Sequence, residues 1–156
     1  MNSLPKTLEE MKKLPEAELK DPKGVVVLTI AALCNYENDK EECYRMLDFL
    51  RGPRPLSNFD KQFIRDRFME GAYYVPRSYF AGAVPENDYT PSSYSVDMKE
   101  SAYAEEGYKK FDVKSGGADS PRQVVLRSKP STGQWFLWDQ FLLSGIRKPK
   151  SQDEWA

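Results

Sequence analysis

The sequence predicts an α+β fold, with three to four N-terminal helices packed on a curved antiparallel sheet built from the C-terminal half. Three observations carry the prediction. Helix caps and helical periodicity are confined to the residues before Gly71. Period-two alternation begins only at Tyr94. Strand and helix patterns do not alternate, so nothing supports a parallel sheet. A chain of 156 residues reads as one domain, 1–156, long enough for its own core. Its expected parts are an N-terminal arm or short helix (1–21), a helical half (22–71), an aromatic loop (72–93) and a sheet half (94–149).

The helical half is marked by its caps. Thr7 and Glu10 have capping-box spacing, and Leu8, Met11 and Leu14 follow until Pro15 stops the turn. Asp21-Pro22 is a cap followed by proline at the first helical position. The run Val25 to Leu33 has no polar face, and its β-branched residues would also suit a strand. Its start signal and length select a buried helix over 22–36. Asn38 and Glu41 look like a second capping box, followed by Cys43, Met46, Leu47 and Leu50 on one helix face and ended by Gly52-Pro53. Ser57 caps another helix, with Phe59, Phe63, Ile64 and Phe68 on one broad face and Gly71 at its end. Each apolar stripe is expected to face the core.

Residues 72–92 are rich in tyrosine, and Pro76, Pro85 and Pro91 forbid a long regular element. They read as a loop over the sheet, either anchored by its aromatics or forming a pocket wall. Alternation then runs through Tyr94, Val96 and Met98, and again through Phe111 and Val113. Gln123 to Arg127, a Gly-containing turn over 129–133 and Gln134 to Trp138 form a hairpin. Trp135 and Leu137 would face one side of the last strand and Phe136 and Trp138 the other. A strand apolar on both faces is expected inside a sheet. At fold level the arrangement compares with the cone-shaped roll of nuclear-transport-factor-like domains.

Composition excludes more chemistry than it supports. The chain has no histidine, which removes Ser-His and Cys-His nucleophile pairs and imidazole switches. Two cysteines cannot make a Cys-only zinc site, and no cofactor fingerprint occurs. No cofactor and no metal are expected. Residues 1–71 carry 12 basic and 13 acidic groups and residues 72–156 carry 11 of each, so no basic half points to nucleic acid. No apolar run is long enough to span a bilayer. The N-terminus lacks a charged segment followed by an apolar one, so a cytoplasmic protein with free Cys34 and Cys43 is expected.

The best local candidate for binding is the loop Ser115 to Arg122. Gly116 and Gly117 can expose backbone N–H groups, Asp119 and Ser120 supply polar side chains, and Arg122 supplies charge. Tyr79 and Tyr89 of the aromatic segment would complete the wall. Such a site suits a small anionic or aromatic ligand. It lacks the lysine and the following helix of a phosphate-binding P-loop. The competing reading is a strand connection in which Asp119 and Ser120 hydrogen-bond their own turn. Glu86, Asp88, Glu105 and Glu106 lack calcium-loop spacing.

Three blocks, Ser78-Tyr-Phe-Ala-Gly82, Gly116-Gly-Ala-Asp-Ser-Pro-Arg122 and Trp135-Phe-Leu-Trp138, resemble a family of small bacterial proteins classed as a domain of unknown function. The resemblance covers residues 25–156 and implies a bacterial source, with no catalytic residues to transfer. The function expected is a non-catalytic binding or protein-interaction module, its partner an unknown protein or a small anionic or aromatic ligand. The alternative is a small-molecule pocket, enzymatic without metal, using Asp, Tyr or Arg.

Overall fold

In the computed structural model, which describes residues 1–156, four α-helices precede four strands. The helices are α1 (Leu8–Lys12), α2 (Pro22–Cys34), α3 (Lys40–Arg51) and α4 (Asn58–Arg67). The strands are β1 (Met98–Glu100), β2 (Tyr108–Val113), β3 (Arg122–Lys129) and β4 (Gln134–Gln140). The chain is therefore α+β. Between the halves lie short 3-10 turns at Met69–Tyr74, Pro76–Tyr79 and Pro85–Asn87, as the prolines demand.

Helix α2 is buried along nearly its whole length, Gly24 to Cys34 with only Val27 partly open. Asp21 caps it by accepting from the Lys23 N–H at 3.1 Å, and Pro22 follows. Inside it, the Thr29 hydroxyl donates to the Val25 carbonyl at 2.8 Å, so the one polar side chain in the run is satisfied without leaving the helix. Helix α3 packs on one side of α2, and β4 and the 76–79 turn pack on others. Cys34 and Cys43 are buried free thiols; burial pushes the Cys43 thiol up to about 12 and raises Cys34 as well.

The Thr7–Glu10 and Ser57–Asp60 capping boxes both form. The next cap is one residue later than the spacing predicts: Asp39, not Asn38, accepts from the Glu42 N–H at 3.1 Å, while Asn38 donates its side chain to Asn35. Helix α4 ends at Arg67, because Glu70 and Gly71 both turn left-handed. Its apolar face is also divided. Ile64 and Phe68 are buried, but Phe59 is 79% exposed and Phe63 41% exposed. Within the ten-residue helix only Ile64 is buried, so α4 seats by the edge that carries Ile64 and leaves the Phe59 side open.

The sheet is an open antiparallel meander, ordered β1-β2-β3-β4. Its first regular residue is Met98. Upstream, Val96 makes only an isolated bridge to Phe80, so the alternation that begins at Tyr94 starts before the ladder does. Phe111, Val113, Val124, Leu126 and Leu137 are buried on the helix-facing side. The hairpin between β3 and β4 forms with Lys129 opposite Gln134.

Strand β4 lies at the edge of the sheet, not inside it. Leu137 is buried, whereas Trp135, Phe136 and Trp138 are half-buried. The apolar character of the strand comes from how its edge is covered. Trp135 N–H donates to the Leu19 carbonyl at 2.7 Å, and the Gln134 side chain donates to the Glu18 carbonyl at 3.2 Å. Arg54 donates to the Trp138 carbonyl. Polar groups that would otherwise pair with another chain are thus occupied by the N-terminal arm and the segment after α3.

Truncating Leu137 to Ala is expected to cost about 2–5 kcal/mol, and Phe59 to Ala no more than about 0.5 kcal/mol, in denaturant unfolding. Comparable losses for the two would show that α4 buries its whole stripe. Thiol titration is expected to find two reactive groups after unfolding without reductant and very slow reaction in the folded state.

Candidate functional site

The loop after β2 and the aromatic segment meet, and their polar groups are consumed by that meeting. Gly116 N–H donates to the Ser78 carbonyl at 2.8 Å, and Gly117 N–H to the Ser115 hydroxyl at 3.1 Å. Ser115 donates on to the Ser78 hydroxyl at 2.7 Å, and Ser78 to the Val75 carbonyl at 2.7 Å, a chain of hydroxyls with both members buried. The two glycines are there for close approach. A Cβ on Gly116 would overlap the Ala83 carbonyl, and one on Gly117 the Tyr89 hydroxyl.

The other residues of the sequence-derived set tie this loop to the C-terminal segment. Tyr89 donates to the Arg147 carbonyl at 2.6 Å and Tyr79 to the Leu142 carbonyl. Arg122 spends its guanidinium on three carbonyls and a hydroxyl: Ser144 at 2.9 Å, Gly145 at 3.0 Å, and the Ser120 carbonyl and side chain at 2.9 and 3.1 Å. Asp119 pairs with Arg147 at 3.1 Å on the surface. All seven residues thus border one seam. An open cleft of about 370 Å³ runs beside it, lined by the 78–84 and 95–97 segments, Lys114 and Gly116.

Burial pushes the Tyr89 hydroxyl up to about 12, with Tyr74 adding to the shift and Arg147 opposing it, and burial raises Tyr79 too. In the unfolded chain both would lose their protons near the ordinary value of 10.0. The folded state therefore holds more protons between about 10 and 12, and stability falls as pH rises through that window. Denaturant midpoints above about pH 10 should drop for the wild type and drop less steeply for Tyr89→Phe. Equal slopes would show that Tyr89 is not protected.

A second arrangement is absent from the sequence-derived set. A cleft of about 410 Å³ opens between the segment after α3 and the outer face of β3 and β4. Arg51, Arg54, Arg127 and Lys129 line it, with no carboxylate among its walls, and Pro53, Pro130 and Phe136 supply apolar surface. Register builds it. Arg127 stands opposite Phe136 on one side and Tyr108 on the other. Leu126 pairs with Leu137 and Val125 with Asp139, so Trp138 is an inserted bulge residue without a partner. The bulge sets Trp138 edge-to-face on Tyr108, centroids 5.7 Å apart.

Arg127 lies 4.7 Å from the Trp138 ring centroid and 5.5 Å from that of Tyr108. Arg54 lies 3.8 Å from the Trp138 centroid. Both are held by the ring quadrupole instead of by an acid. Arg51 is different: it donates to the Arg54 carbonyl at 2.9 Å and pairs with Asp60 at 3.3 Å, and burial lowers its pKa. Gly52, at φ 61°, sits so close to Phe136 that a side chain there would strike the ring. Arg54, Arg127 and Lys129 make no ion pair, and neither Arg127 nor Lys129 makes any side-chain hydrogen bond. The hairpin register was the available sequence signal for Arg127 and Phe136; nothing local announces Arg54, which arrives from a distant segment.

No group of His, Cys, Asp or Glu is placed to hold a metal ion, and no helix is long and apolar enough to cross a membrane. No curated protein and no solved structure matches the chain. One family model does, over residues 3–150, which carries the resemblance in the three sequence blocks through the N-terminal arm as well. The chain belongs to the domain of unknown function family DUF6935.

Proposed function

We propose that this chain is a non-catalytic binding module whose ligand is a small anion with an apolar part, held in the cleft between the post-α3 segment and the outer face of β3 and β4. The observation that carries the reading is the pairing of three cations lacking ion-pair partners with an apolar wall of Pro53, Pro130 and Phe136. Arg54, Arg127 and Lys129 are exposed to solvent, so stability alone argues neither for nor against this arrangement. It suits an incoming oxyanion, because guanidinium groups stacked on rings keep their N–H edges free. The volume falls in the range of small-molecule sites.

Titration with the fluorescent aromatic anion anilinonaphthalene sulfonate tests this. Binding is expected to weaken about ten-fold or more in Arg127→Ala, and to weaken with added salt. Equal affinity in wild type, Arg127→Ala and Lys129→Ala, all with unchanged thermal unfolding, would remove the ligand from this cleft. A second placement, favoured by the 370 Å³ cleft beside Gly116 and Tyr79, puts the same kind of ligand on Lys114, which has no ion-pair partner. Sensitivity to Lys114→Ala in place of Arg127→Ala would select it.

A further inference from the structure

We infer that the ligand of the β3–β4 cleft is a phosphate monoester carrying a flat ring, of the size and charge of a nucleoside monophosphate; the inference rests on the cleft being the binding site. Arg127 and Lys129 are two residues apart on the same face of one strand, so their Cα atoms stand roughly 7 Å apart and their heads serve one wall. Arg54 serves the opposite wall from the post-α3 segment and spends one N–H on Trp138. A planar carboxylate offers two oxygens and one charge. A phosphate monoester offers three terminal oxygens and up to two charges, which matches a fork, an ammonium and a second fork approaching from two sides.

The rest of the wall defines the other half of the ligand. Trp138 already carries Arg54 at 3.8 Å and Arg127 at 4.7 Å, so its ring holds cations and is not the free stacking surface. Phe136 is covered by Gly52 on one side and borders the cleft with Pro53 and Pro130. This is a flat apolar surface, suited to a ring lying against it. The cleft has no carboxylate to hold magnesium, and three uncompensated cations fall short of a triphosphate without one. An amine-bearing zwitterion finds no carboxylate in the lining of the cleft; Asp60 and Asp139 line an adjoining small cavity that shares Arg51 with it.

The experiment is competition against anilinonaphthalene sulfonate on the full chain, with adenosine monophosphate, adenosine, inorganic phosphate, benzoate and a single-stranded oligothymidylate as competitors. Adenosine monophosphate is expected to displace the dye, with adenosine and inorganic phosphate each at least about ten-fold weaker. Arg127→Ala is expected to remove that displacement, and Arg127→Lys to restore it in part, with thermal unfolding unchanged in both. If dye binding depends on Arg127 but adenosine monophosphate does not compete, or benzoate competes as well, the ligand class is wrong and the anion cleft stands. Dye binding indifferent to Arg127 overturns the cleft and this inference with it. An oligothymidylate that competes more strongly than the mononucleotide overturns the mononucleotide and assigns the sheet face to nucleic acid.

Discussion

A helix without a polar face must be covered from every direction, and α2 imposes that condition on the rest of the chain. Val25, Val26, Leu28, Ile30 and Leu33 are all within 1% of complete burial, and they do not share one side of the helix. No single neighbouring layer can satisfy such a helix. Helix α3 takes one flank, the 15–18 and 76–79 turns take others, and β4 closes the remainder. The aromatic loop is therefore needed for cover, and its tyrosines end on backbone carbonyls because buried hydroxyls must be paired. Prolines at 76 and 85 set its turns, and Tyr79, Tyr89 and Phe80 supply the bulk that a short segment needs to close a core.

The same condition explains why an edge strand carries so much apolar surface. Because β4 must cover α2, it cannot lie in the solvated margin of the sheet as an ordinary edge would. Its open side is then closed by Leu19, Glu18 and Arg54. Closure by Arg54 brings a guanidinium over Trp138, and the bulge at Trp138 brings the ring to Tyr108 and Arg127. The cationic cleft is thus a consequence of how the edge is sealed.

These origins decide what was legible in the sequence. Caps are local chemistry, so Thr7, Asp21 and Ser57 announce their helices directly, and the hairpin over 129–134 follows from turn residues between alternating runs. The one-residue error at Asn38 arises because adjacent Asn and Asp offer the same acceptor, and only tertiary position chooses between them. Apolarity on both faces of Trp135 to Trp138 was a correct sign of cover. It could not say whether the cover was another strand or side chains and backbone from the helical half. Phe59 and Phe63 show the reverse case, since periodicity gives a face but not how much of that face a neighbour can reach.

The even charge balance hid the cleft for a related reason. Counting along the chain averages residues that folding separates, and the acids near Arg54 and Arg127 in sequence are directed elsewhere. Asp60 is turned to the Ser57 cap and Arg51. What remains in the cleft is positive although the chain as a whole carries a net charge of −1. Local potential in a concave site depends on which charges share its walls, and low-dielectric walls concentrate it. A glycine pair marks where two backbones must touch, as at Gly116 and Gly117, whereas Arg54 and Arg127, both held over the Trp138 ring, mark where the edge of β4 is sealed.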